Sequence, residues 1–222
     1  MRRCYSAAAE GFVEVVSGIG DDSSSWDQPG LGVWTVRDLV GHASRSLSVI
    51  EQYLAEPAVE IRFATPLDYL AWLSDPSLDH ASVAWRGRAA GEALGSSPAA
   101  AVRELAARAT ALVAATPDEA TLTTAFGGTT FMAYLPTRTF ELTVHTLDLV
   151  SALGVEAPPV LDAPVAACLE LAVAAAAAGR GASSGGAGGT SSGGAGGGAS
   201  SGGAVLLALT GRRGLPPGFS VV

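Results

Sequence analysis

Apolar residues recur every three to four positions over most of the chain, and this period predicts helices rather than strands. The plainest stripe is Val36, Leu39, Val40, Ala43, Leu47, Ile50 and Leu54. Thr35-Val36-Arg37-Asp38 has the form of an N-terminal capping box, with Asp in place of the usual Glu, so this helix starts at Thr35. The same pattern predicts helices over about 5–16, 66–73, 78–94, 98–115, 136–153 and 164–178. Pro98, Pro136 and Pro164 suit first helical turns, and Gly95 and Gly154 suit helix ends. The rhythm breaks in a loop rich in Gly, Asp and Ser around Trp26, Pro29, Gly30 and Gly32. It breaks again over 121–134, where Thr, Phe and Tyr around Gly127-Gly128 predict a small hairpin or an extended segment.

From 181 to 204 every residue is Gly, Ala, Ser or Thr. Such a stretch buries too little apolar surface to offset the entropy of ordering it, so it is expected to be a flexible linker spanning roughly 25–30 Å. Beyond it, Leu206, Leu207, Leu209 and Phe219 are poorly suited to constant exposure, and the tail over 205–222 is expected to pack back on the bundle. The expected organisation is an all-α bundle over 1–180, a linker over 181–204 and this short tail.

Composition narrows the function classes. The net charge is −8 and no block of Lys or Arg stands out, which argues against a nucleic-acid partner. The most apolar window, 168–178, is about half the length that crosses a bilayer, which argues against a membrane span. Met1-Arg2-Arg3 is basic, but Glu10 and Glu14 follow too soon for a signal peptide. Cys4 and Cys168 are far apart and form no Cys-x-x-Cys pair. A disulfide framework or thiolate zinc site is therefore not expected, and the default location is a reducing cytoplasm.

One helix carries chemistry. Over 136–153, Arg138, Glu141, His145, Asp148 and Ala152 share one face. Such a stripe is usually a solvated face. Here Phe140, Thr143, Leu147 and Val150 lie opposite, and Leu142, Val144 and Leu149 flank it. A helix apolar on nearly every side is buried, so the stripe is expected to face a pocket. Glu141 and His145, four apart, can reach one ion, as in metal sites built between bundle helices. A third ligand must come from elsewhere. Of the other two histidines, His42 flanks the apolar stripe of the second helix, near a helix seam, whereas His80 in Asp79-His80 suits a helix start or the surface.

The wording around these residues goes further. Residues 34–42, Trp-Thr-Val-Arg-Asp-Leu-Val-Gly-His, resemble the first ligand helix of the mycothiol-dependent maleylpyruvate isomerase family. Residues 138–149, Arg-Thr-Phe-Glu-Leu-Thr-Val-His-Thr-Leu-Asp-Leu, resemble its second ligand helix, and 209–219 are similar to the closing segment of short members. The resemblance implies a DinB-like four-helix bundle with a His, Glu, His metal triad, mapping onto His42, Glu141 and His145. It implies zinc or another divalent metal, and mycothiol or another low-molecular-weight thiol as cosubstrate. Full isomerases of the family carry a larger C-terminal domain that contributes a catalytic arginine. Here 18 residues follow the linker, so the resemblance carries over the metal domain rather than maleylpyruvate isomerisation itself.

The expected function is thiol-dependent transfer or isomerisation of a small electrophile. Three protein ligands leave a coordination position open, the pattern of a catalytic zinc. Asp148 is the candidate to orient a ligand histidine. Arg138, Arg45, Arg212 and Arg213 are candidates to hold an anionic group, or else make ordinary ion pairs. Two other readings stand beside this one: a non-catalytic metal-binding or ligand-sensing module, and a buried salt-bridge network without metal.

Overall fold

A computed structural model describes residues 1–73, 80–179 and 201–212. Among them run eight α-helices and two small two-stranded antiparallel sheets. Helix α1 (Arg2–Ser17) is followed by a one-turn 3-10 helix at Ser24–Asp27 and the strands β1 (Pro29–Leu31) and β2 (Trp34–Thr35). Helix α2 (Val36–Leu54) then begins on the predicted cap. Thr35 Oγ1 accepts from Asp38 N at 3.2 Å, and Asp38 Oδ2 accepts from Thr35 N at 3.1 Å. Helices α3 (Pro66–Leu73), α4 (His80–Ala93) and α5 (Pro98–Ala115) follow, then the hairpin β3 (Thr121–Thr124) and β4 (Gly127–Thr130).

Helix α6 (Phe131–Leu153) starts earlier than its sequence pattern predicts. The local rule places Pro136 in the first turn, yet it lies inside the helix. Proline there removes a backbone hydrogen bond. Burial outweighs that loss, because Phe131, Tyr134 and Leu135 are all at most 1% exposed. Thr130 supplies the cap by accepting from Ala133 N at 3.2 Å. At the other end Gly154 takes a left-handed φ of 65°, as predicted for a glycine stop.

The main core lies among α1, α2, α5 and α6, with α1 and α2 each packed on both α5 and α6. Helix α4 crosses α2 unusually closely. A Cβ on Gly41 would lie 2.1 Å from the backbone nitrogen of Gly91, so only glycine permits this approach.

A second core joins α6 to α7 (Asp162–Gly179) and α8 (Ser201–Leu209) through Val144, Leu147, Leu161, Val165, Cys168, Leu206 and Leu207. Helix α8 includes 201–204, the end of the stretch expected to be linker. Gly202 sits against Val165, where a Cβ would approach Val165 Cγ1 to 3.2 Å, so small residues serve close packing here. The rest of that stretch lies outside the described residues.

The stretch Pro159–Ala178 is long and apolar enough to cross a membrane by length and composition, which corrects the expectation drawn from its most apolar window alone. Val160, Leu161, Val165 and the alanines around them extend that window toward its N-terminus. In this fold it packs on α6 and α8 through Val165 and Cys168 and leaves Val173 exposed.

Candidate metal centre

Helices α2 and α6 pack against each other, and their facing turns bring His42, Glu141 and His145 together. One donor atom from each lies within 4.8 Å of the other two. Glu141 Oε2 is 3.4 Å from His145 Nε2 and 4.0 Å from His42 Nε2. Donors around a tetrahedral zinc stand about 3.3 Å apart, given bonds of 2.0–2.1 Å. The Glu141–His145 spacing meets that value, and His42 Nε2 stands farther off, 4.0 Å from Glu141. Two imidazoles and a carboxylate suit a borderline ion such as zinc.

Each ligand candidate is held differently. His42 Nδ1 is buried without a hydrogen-bond partner. Its ring stacks on Trp34, with centroids 4.4 Å apart and planes 31° apart. Trp34 is in turn fixed by donating to Ala84 O at 3.2 Å and by lying against Gly87, which leaves room for the indole. Burial, reinforced by the charge of His145, lowers the pKa of His42 to about 3.

His145 stands in the opposite environment. Burial disfavours its charge, but hydrogen bonds to Asp148 and Glu141 outweigh burial and raise its pKa to about 8. Its Nδ1 is 3.0 Å from Asp148 Oδ2, which leaves Nε2 toward Glu141. Burial would raise the pKa of Glu141, but the hydrogen bond and charge of His145, with Arg138 adding to them, hold it well below the usual carboxylate range. His145 and Asp148 side chains are 7% and 4% exposed, against 18% and 26% for His42 and Glu141, so the cluster opens on the His42–Glu141 side.

The anion-binding candidates fall apart as a group. The Arg138 guanidinium lies over the Tyr134 and Tyr69 rings, 4.9 and 5.6 Å from their centroids, and its Nε donates to Thr137 Oγ1. Its charge is felt by both Glu141 and His42. Arg45 acts on His42 only through its charge. Arg212 binds Asp148 rather than facing the open side of the cluster. Arg213 lies outside the described residues. His80 is the first described residue of α4, and the residues just before it lie outside the described ones. Trp34, Gly41, Gly87 and Gly91 escape sequence reasoning as parts of the site, although Trp34 and Gly41 stand inside the motif that ends at His42.

The fold is mostly helical, and it holds a part-buried His/Glu/His cluster that could take a metal ion. The family model of the mycothiol maleylpyruvate isomerase N-terminal domain matches residues 5–150, and the chain belongs to that family. The match covers α2 and α6 as far as Val150, and so all three residues of the cluster. No curated protein and no solved structure matches the chain.

Proposed function

We propose that the chain binds one divalent metal ion, zinc by preference, through His42, Glu141 and His145, and uses it in thiol-dependent transfer or isomerisation of a small electrophile. The observation that carries this reading is the convergence of three donor atoms from α2 and α6 within 4.8 Å, with one imidazole oriented by a buried carboxylate. On this reading α1, α2, α5 and α6 form the DinB-like four-helix bundle. An ion held there lowers the pKa of a thiol or water, supplying a nucleophile at neutral pH.

The protein's own groups divide the remaining work. Asp148 accepts a hydrogen bond from His145 Nδ1–H and keeps Nε2 toward Glu141. Trp34 walls one side of His42 and keeps water from that ring. Arg138 sets a positive charge near Glu141, suited to a carboxylate on thiol or substrate. The cosubstrate suggested by the family is mycothiol or another small thiol. A cytoplasmic location fits the unpaired Cys4 and Cys168.

Elemental analysis of the purified chain, followed by mycothiol binding and turnover on the metal-loaded form, tests the reading. One divalent ion per chain and thiol-dependent turnover are expected. Metal and thiol binding without turnover would identify a ligand-sensing module instead. A chain that stays metal-free after incubation with zinc, nickel and cobalt would leave only the salt-bridge network.

A further inference from the structure

The tail reaches the site through one side chain. Leu206 and Leu207 are 0% and 3% exposed and anchor α8 against α6 and α7. Gly211, at a left-handed φ of 74°, then reverses the chain. Its N–H donates to Ala208 O at 3.0 Å, and the next N–H, of Arg212, donates to Leu207 O at 2.8 Å. This helix-ending motif folds Arg212 back onto α6. Arg212 Nε lies 2.9 Å from both carboxylate oxygens of Asp148, and its Nη1 donates to Thr210 O at 3.2 Å. Arg212 Nε thus donates a bifurcated bond across both Asp148 oxygens, and Oδ2 is shared with His145 Nδ1. Residues 5–150 carry the family match, so Arg212 lies outside it.

We propose that Arg212 is a positioning residue, which fixes the Asp148 carboxylate and through it the orientation of His145 at the metal centre. This rests on the metal reading above. The pair is part-buried, with Arg212 24% and Asp148 4% exposed, so it also contributes to stability. Its value to the site lies in geometry. A carboxylate bonded only to His145 is free to pivot, whereas one held at both oxygens keeps its acceptor aimed at Nδ1. Partners of this outer kind are worth about 10–100-fold in metal affinity. Simple electrostatics predicts the opposite sign, because removing a cation near the site strengthens attraction for a divalent ion.

Zinc affinity of the full chain, measured by competition with a chromophoric chelator, separates the two. Arg212→Ala is expected to bind zinc about tenfold more weakly, with Arg212→Lys recovering part of the loss. The double variant Arg212→Ala/Asp148→Asn should be no weaker than Asp148→Asn alone, because Arg212 acts only through Asp148. Unchanged or tighter binding in Arg212→Ala, or additive losses, would overturn the proposal. A second readout needs no metal. The downfield proton resonance of His145 Nδ1–H should be sharp in the metal-free wild type and broadened by water exchange in Arg212→Ala. Equal line widths would overturn the role of Arg212. A wild type that takes up no zinc would sink the metal reading while leaving this test in force.

Discussion

The rings of His42 and His145 stand 4.7 Å apart at 86°, yet their helices hold them by opposite means. On α2, His42 has a stacked indole and an unpartnered Nδ1, and it sits one residue after a glycine that lets α4 touch the backbone. On α6, His145 lies between two carboxylates, one of which is gripped by the tail. One imidazole is held by shape and kept neutral. The other is held by charge and keeps a proton. On the proposed metal reading, an ion entering between them would displace a proton from His145 alone, and the variants below act on one side or the other.

Removing either donor tests the premise that both sides serve one ion. His42→Ala and His145→Ala should each lose zinc affinity by far more than the 10–100-fold that loss of an outer partner costs. Isothermal titration with zinc gives the comparison directly. A large loss in only one of the two would mean that the histidines do not share an ion.

The shape-held side is broken most directly at Gly41. A methyl group there would meet the Gly91 backbone at 2.1 Å, where no flexible side chain can yield. Gly41→Ala should cost about 3 kcal/mol of stability, at the upper end for overpacking, read from urea unfolding midpoints. The metal-free protein should show the full loss, since the clash does not depend on the ion. Wild-type stability in this variant would show that the α2–α4 approach does not hold His42.

The charge-held side is broken at Asp148. Asp148→Asn keeps the size but loses the charge that orients His145 and meets Arg212. Zinc affinity should fall about 10–100-fold while the fold survives. No change would mean that His145 keeps its orientation through packing alone, as His42 does.

The sequence exposes these two sides unequally. Glu141, His145 and Asp148 are legible because one helix repeats every three to four residues, so their shared face follows from spacing. That the face turns inward follows from the apolar residues all round it, and His145 and Asp148 are indeed buried. His42 is legible as the histidine near a helix seam. The contacts that hold it are not, because the Gly41–Gly91 approach is backbone on backbone and leaves no periodic mark. Arg212 and Asp148 are separated by 64 positions, and only the fold can pair them. The start of α6 misleads because Pro136 obeys a local rule that buried Phe131 and Tyr134 override. In α8, Gly202, Gly203 and Ala204 have linker composition, yet small size at Gly202 is what packing against Val165 requires.

The smallest expected effect per step is also the one that compares the two histidines in a single experiment. His145 holds its proton up to about pH 8, raised by Asp148 and Glu141 against burial, while burial leaves His42 neutral down to about pH 3. Between those values zinc competes with one proton, not two. Apparent affinity should be flat above about pH 8 and fall about tenfold for each unit below it, which is about 1.4 kcal/mol per unit. The metal-free protein should show the reverse trend only between about pH 8 and about pH 6.5; below that, the unfolded chain protonates His42 while burial keeps it neutral in the fold, so stability falls again. A raised pKa stabilises the fold fully below the unfolded value of about 6.5, and that contribution is lost as pH rises through about 8. Chelator competition from pH 9 to pH 5, paired with unfolding of the metal-free chain over the same range, reads both. If the histidines were equivalent and unperturbed, the affinity curve would break near their ordinary value of about 6.5 and fall with a slope of two. That slope would erase the contrast between the two helices, and an affinity constant from pH 8 to pH 5 would remove the imidazoles from the site altogether.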